Sequence, residues 1–203
     1  MLTIIFILYP RASVAARRVL EVLDTKNSIK YGDKTEGVEV GTVEFKDVSF
    51  KYPDAEEYLL KDISFKANKG DTVAFIGSTG SGKSTLVNLI PRFYDATEGE
   101  VLVDGINVKE YEEEALYDKL GYIPQKAVMF RGTILENVGY GKKNNKKFSV
   151  DKMKKAIEVA QGKEFVEKMP HKYKEKIARG GTNISGGQKQ RLSIARAIAR
   201  DPE

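Results

Sequence analysis

Nine consecutive residues hold the densest chemistry in the sequence: Gly77, Ser78, Thr79, Gly80, Ser81, Gly82, Lys83, Ser84 and Thr85. They read G-x-x-x-x-G-K-S, the phosphate-binding loop pattern. A triphosphate needs many donors packed around its oxygens. Glycines lack a Cβ, so backbone N–H groups can turn inward and form a nest for anions. Lys83 can then reach the β and γ phosphates, and the Ser84 hydroxyl can ligate Mg²⁺.

The pattern needs a strand before it and a helix after it. Asp71 to Ile76 is an apolar β-type segment, and Leu86 to Ile90 suits a helix that stops at Pro91. The sequence therefore predicts strand, loop and helix in that order.

The totals set bounds. The chain has 203 residues, and 41% are hydrophobic, enough to fill a core. The net charge of +5 comes from 34 basic and 29 acidic residues, a mixed balance that does not imply nucleic acid. There is no cysteine and one histidine, His171, so disulfides, thiolate metal sites and histidine clusters are excluded.

Met1 to Pro10 is apolar but shorter than the roughly 20 residues that span a bilayer. It lacks a basic residue before its apolar part, which makes a poor signal peptide. A buried strand and the last turns of a membrane helix both remain open. Arg11 to Leu23 reads as a helix, and Arg11, Arg17 and Arg18 suit either a solvated face or the cytoplasmic edge of a membrane. Residues 24–41 turn polar and read as a linker.

Alternation across Thr42 to Phe50, with its phase shifted at Lys46-Asp47, predicts a strand, and Ile63 and Phe65 continue the pattern in a partner. Tyr52 closes the first strand beside Pro53. Glu100 to Val103, Asp104-Gly105 and Ile106 to Val108 read as a hairpin with a type I′ turn. A short helix is expected within Glu110 to Lys119, and a strand over Leu120 to Ile123 that ends at Pro124-Gln125. Helices follow, one capped by Ser149 and one over Ser185 to Arg200. Lysines 142, 143, 146, 147, 152, 154 and 155 either contact phosphates or form a solvated face.

Three further stretches narrow the reading. Ile184-Ser185-Gly186-Gly187-Gln188-Lys189-Gln190-Arg191 resembles the signature of ATP-binding cassette (ABC) ATPases. Gly121 to Gln125 is similar to their Q-loop, and Phe50 to Pro53 to their A-loop. Gln125 follows Lys83 by 42 residues, and Ser185 follows Gln125 by 60, spacings also similar to the family. The resemblance covers residues 42–203. It implies an α/β fold: a P-loop NTPase core of RecA type, an antiparallel β subdomain, and an α-helical subdomain bearing the signature over about residues 126–190.

The resemblance also implies roles. Tyr52 would stack on adenine, a contact worth about 1–3 kcal/mol. Gln125 would touch Mg²⁺ and the attacking water, which makes Lys83 and Gln125 the supporting catalytic residues. Ser185, Gly186, Gly187 and Gln188 would close in trans on the γ phosphate held by a second cassette. The implied cofactors are ATP and Mg²⁺.

Arg92 to Gly99, and Arg11 to Ser13 with Arg17-Arg18, look most similar to cassettes fused to membrane domains of exporters. That assigns residues 1–23 to the end of a last membrane helix with its extension, and places the protein at the cytoplasmic face of the cell membrane. The expected function is ATP binding, and in the complete protein ATP hydrolysis, that powers export of an unknown substrate, with a transmembrane domain and a second nucleotide-binding domain as partners and no nucleic acid. A non-catalytic ATP-binding module and a soluble cassette ATPase are the alternatives. Exporters of this kind usually carry glutamate where this chain has Arg179, which favours a heterodimer slightly over a homodimer. The family's Walker B aspartate and catalytic glutamate find no match up to Glu203. The expectation is a cassette incomplete at its C-terminus, a fragment that binds ATP without hydrolysing it alone.

Overall fold

A computed structural model describes residues 2–141 and 148–203. The lysines at 142, 143, 146 and 147 lie outside the described residues. The chain divides into two compact units, residues 1–30 and 31–203.

The first unit is one helix, α1 (Leu2–Leu23), which runs on through Pro10. The N-terminal apolar stretch is therefore helical, and the buried-strand reading of it fails. A strand needs a neighbour's ladder, whereas a helix closes its hydrogen bonds within itself. Phe6, Tyr9, Val14 and Leu20 are exposed along it. No helix among the described residues is long and apolar enough to cross a membrane.

The second unit opens with residues 31–41, which are tied by backbone hydrogen bonds to residues 104–111. Gly32 N–H donates to the Tyr111 carbonyl and Lys34 N–H to that of Glu110. Val38 and Glu39 N–H groups both donate to the Asp104 carbonyl. The main sheet has β1 (Val43–Phe50), β2 (Leu60–Ala67), β3 (Glu98–Val103) and β4 (Ile106–Asn107), in the order β2-β1-β3-β4. Every pairing in it is antiparallel. The phase shift expected at Lys46-Asp47 is a break in register on both sides of β1, with Asp47 at φ 47°. It turns Phe45, Val48 and Phe50 onto the buried face. Asp104 (φ 53°) and Gly105 (φ 77°) both take the positive φ that a type I′ turn requires.

Two short helices complete this core, α2 (Lys83–Leu89) and α3 (Glu113–Lys119). Leu86 and Leu89 of α2 and Leu116 of α3 pack into one cluster with Phe45, Val48, Val101 and Val103. This burial fixes α2, and through it the phosphate loop, against the sheet.

A second cluster is helical. β5 (Gly132–Thr133) pairs with β6 (Lys176–Ile177), and α4 (Ile134–Val138), α5 (Val150–Val159), α6 (Lys163–Glu167) and α7 (Gly186–Ala199) gather around them. Ile134, Ile157, Val166, Ile177, Leu192 and Ala195 are its buried centre. Ser149 accepts from the Lys152 N–H and caps α5, as its position before the apolar face predicts.

Two expected strands are not strands. Asp71 to Ile76 and Leu120 to Ile123 form no ladder with any described neighbour. Only Phe75 of the first segment is drawn in, edge-on to Phe65 at 5.2 Å, while Ile76 is 96% exposed. Alternation and β-propensity describe what a strand buries, but a strand also needs a partner for its N–H and C=O groups.

One buried charge cluster locks the hairpin turn. Asp104 Oδ1 accepts from Gly41 N–H at 2.7 Å. Its Oδ2 lies 2.8 Å from Lys119 Nζ, an ion pair rather than an aligned hydrogen bond, and Lys119 also meets Glu203 at 3.0 Å. Burial pushes the Asp104 carboxyl up, but Lys119, the Gly41 N–H and Glu203 together outweigh it and hold it below its ordinary 3.8. A folded-state value below the unfolded one means that the carboxylate stabilises the fold above about pH 4 and that this contribution is lost as the pH falls further. Thermal melts should therefore decline more steeply between pH 5 and pH 3 for the wild type than for Asp104→Asn. Parallel declines would remove this cluster from the acid response.

Candidate functional site

The loop at residues 77–82 is shaped by its glycines. Gly80 and Gly82 both sit at φ 86° in the left-handed region, where a side chain is strained. Gly82 is also the residue that leads into α2, and a Cβ there would meet Leu60 Cδ2 at 2.8 Å. Gly82 is thus required by its backbone angle, and the Leu60 side chain would have to shift to admit a Cβ there.

Lys83 is turned back onto the loop. Its Nζ donates to the Gly77 carbonyl at 2.9 Å, the Ser78 carbonyl at 2.6 Å and the Ser81 hydroxyl at 3.2 Å. Three acceptors satisfy its three donors, and a phosphate oxygen can replace any of them. Ser78, Thr79, Ser81 and Ser84 are exposed, so their hydroxyls are open to a ligand.

Beside this loop stands an aromatic group. Tyr52 lies two residues beyond the end of β1, and its hydroxyl is 2.9 Å from the Thr85 hydroxyl in the first turn of α2. Its ring meets Phe50 edge-on at 5.0 Å and Tyr94 edge-on at 5.3 Å. Residues 52 and 85, far apart in sequence, thus meet at one point. An aromatic ring and a glycine-rich loop lie next to each other.

Gln125 is exposed in the loop after Leu120 to Ile123, and its amide makes no hydrogen bond among the described residues. That loop is moored to α2, because Tyr122 donates its O–H to Asn88 at 2.9 Å and lies edge-on to Phe93 at 5.2 Å. A neutral hydroxyl at Ser84 and a neutral amide at Gln125 fit Mg²⁺ only as two ligands among phosphates and waters, the habit of this cation. No cluster of His, Cys, Asp and Glu able to hold a metal by itself occurs among the described residues.

The signature residues belong to the helical cluster. Ser185 Oγ accepts from Gln188 N–H at 3.3 Å, and Gln188 Oε1 accepts from Ser185 N–H at 2.9 Å, a reciprocal capping box on α7. Gly186 and Gly187 have ordinary backbone angles, and a Cβ on either would meet nothing within 4 Å. Nothing among the described residues explains why glycine stands there. No hydrogen bond or ion pair joins residues 185–188 to the phosphate loop among the described residues.

Residues 60–203 match the family model described as ABC transporter. The chain belongs to the ABC transporter family. Over its whole length it is 45% identical to an uncharacterised ABC transporter ATP-binding protein of Mycobacterium bovis, of which it covers 35%. It is 43% identical over 162 residues to a putative multidrug export ATP-binding/permease protein of Bacillus subtilis, a match covering 80% of this chain and 27% of that one. Its fold matches a bacterial Atm1-family ABC exporter solved with ATP bound, with a TM-score of 0.83 and 31% identity over 95% of this chain and 33% of that chain. The chain thus spans about a third of the length of the proteins it matches. The cassette reading is borne out over residues 60–203, and the exporter resemblance is borne out at the level of family and fold.

Three features of the site are not legible in the sequence as such. Tyr94 stands there only as part of a family-like stretch, without a role of its own. The Thr85 hydroxyl reads as one more polar loop residue until Tyr52 is placed on it. Asn88 gives no signal, because only its position on α2 opposite Tyr122 makes it a tether.

Proposed function

We propose that this chain is the nucleotide-binding domain of an ABC exporter and binds ATP with Mg²⁺. The triphosphate lies on residues Gly77 to Thr85, with Lys83 on its terminal phosphates. Ser84 and Gln125 hold Mg²⁺ together with phosphate oxygens, and Tyr52 stacks on the adenine. The observation that carries this reading is the meeting of Tyr52 with Thr85 at 2.9 Å. It sets an aromatic face beside a phosphate nest, the two chemistries that a nucleotide presents on one molecule.

The open faces of Gly186 and Gly187 support the partner half of the reading. Backbone bare of side chains lets a second domain's nucleotide approach the α7 terminus closely. The second domain is a further nucleotide-binding domain, and exposed Arg179 favours a non-identical one. The relatives described as ATP-binding/permease proteins support a transmembrane domain as the other partner and the cytoplasmic face of the membrane as the location.

Titration of the purified chain with a fluorescent ATP analogue, with and without Mg²⁺, tests the site. Saturable binding that tightens with Mg²⁺ is expected. A folded sample, judged by circular dichroism, that binds under neither condition would sink the assignment.

A further inference from the structure

The turn that follows α2 is built to a fixed shape. Arg92 is buried at φ 57°, and its guanidinium grips Asp95 twice, at 2.7 Å and 3.2 Å. Phe93 N–H donates to the Asn88 carbonyl. Thr97 ties the same turn to the end of β1, donating its N–H to the Ser49 carbonyl and accepting from Lys51 N–H at 3.1 Å. Both ends of the turn are thereby anchored, one on α2 and one on β1. The residue held between them is Tyr94.

Tyr94 meets Tyr52 at 5.3 Å with the ring planes 88° apart, and both rings rest on buried Phe50. Tyr52 itself lies past the end of β1, where no ladder fixes it. Its plane is set by Phe50, by Tyr94 and by the hydroxyl contact with Thr85. Edge-to-face contact is the favoured geometry for such a pair, so Tyr94 restrains the Tyr52 ring, and Tyr52 stays 36% exposed.

We propose that Tyr94 is a positioning residue for base recognition: it holds the Tyr52 ring at the angle that an adenine can stack on. The proposal rests on the nucleotide reading above and adds a residue to it. Tyr94 acts through Tyr52 and not on the phosphates, so its loss should weaken a ligand with a base and spare one without.

The test compares ATP with inorganic tripolyphosphate, by calorimetry on the purified chain. Tyr94→Leu should lower ATP affinity about five- to tenfold, while tripolyphosphate affinity stays within about twofold. Tyr94→Phe, which keeps the ring, should restore ATP affinity. Tyr94→Met serves as a second non-aromatic variant should Tyr94→Leu fail to fold by circular dichroism. Tyr52→Ala should abolish the advantage of ATP over tripolyphosphate, and adding Tyr94→Leu to it should cost nothing more.

Each other outcome counts against the proposal in a recognisable way. Equal loss for both ligands in Tyr94→Leu, or loss for neither, overturns the positioning role while Tyr52→Ala still reports a base site. A further loss in the double variant shows that Tyr94 contacts the ligand directly, and overturns it as well. No effect of Tyr52→Ala on the ATP advantage refutes base stacking itself, and the role of Tyr94 falls with it.

Discussion

Lys83→Ala is expected to raise the dissociation constant of the chain for a fluorescent ATP analogue by roughly 100-fold, equivalent to about 2.7 kcal/mol. An ammonium donating to phosphate oxygens makes charge-assisted hydrogen bonds, about twice as strong as neutral ones. The structure adds a second effect of opposite sign. Lys83 already donates to the Gly77 and Ser78 carbonyls and the Ser81 hydroxyl, so binding exchanges these contacts for phosphate ones. Those internal acceptors are neutral and exposed, so the exchange still favours the phosphate. Their loss in the variant also leaves the loop less restrained before binding, which adds an ordering cost. The melting temperature should move little, because these contacts lie at the surface. Equilibrium fluorescence titration decides the matter: an unchanged dissociation constant in a folded Lys83→Ala sample would show that the ligand is not held by this loop.

The loop is readable because its chemistry and its backbone demands fall on adjacent residues. Gly80 and Gly82 take left-handed angles, Lys83 turns back onto the loop's own oxygens, and all of them sit within a few residues of one another. The β1–β2 and β3–β4 pairings are readable for a similar local reason. Alternating apolar residues mark a buried face, and Asp104-Gly105 can adopt the angles that a tight hairpin needs. Asp71 to Ile76 and Leu120 to Ile123 show where this logic stops. Their composition suits strands, but whether they are strands depends on a neighbour, and no local pattern reports a neighbour. Side-chain tethers are the other blind spot. Tyr52 on Thr85, Tyr122 on Asn88 and Tyr94 against Tyr52 each join residues whose separation in sequence has no periodicity.

Arg196 is the most consequential of these unreadable tethers. Arg196→Ala should destabilise the folded chain by about 3 kcal/mol, from the charge-assisted hydrogen bonds lost and the carbonyl of buried Asn137 left without its Arg196 donor. The residue lies on α7, and burial pushes the proton affinity of its guanidinium down. The described contacts of the guanidinium are to uncharged groups. It donates to the Asn137 carbonyl at 2.7 Å, to the Val128 carbonyl at 3.1 Å and to Asn137 Oδ1 at 3.4 Å. It also lies over the Phe130 ring at 5.5 Å and the Tyr140 ring at 5.9 Å, which are themselves stacked at 4.2 Å.

Asn137 is the hub on the other side. It is buried, accepts from Phe130 N–H at 2.8 Å, and donates to the Phe130 and Thr133 carbonyls at 2.9 and 3.0 Å. The signature helix is thereby fastened to the chain leaving the Gln125 loop. A half-buried cation whose described contacts are carbonyls and π faces depends on its planar fork, so Arg196→Lys should fail to restore stability, since an ammonium cannot reach separated carbonyls in one plane. For a chain of this size the loss in Arg196→Ala corresponds to a fall in melting temperature of roughly 6–12 °C. Asn137→Ala should cost a similar amount. The double variant should cost clearly less than the sum, because both side chains serve one network. Thermal melts of the three variants give the cycle directly. Strict additivity would mean that Arg196 and Asn137 stabilise the fold independently, and the tether between α7 and the Gln125 loop would have to be abandoned.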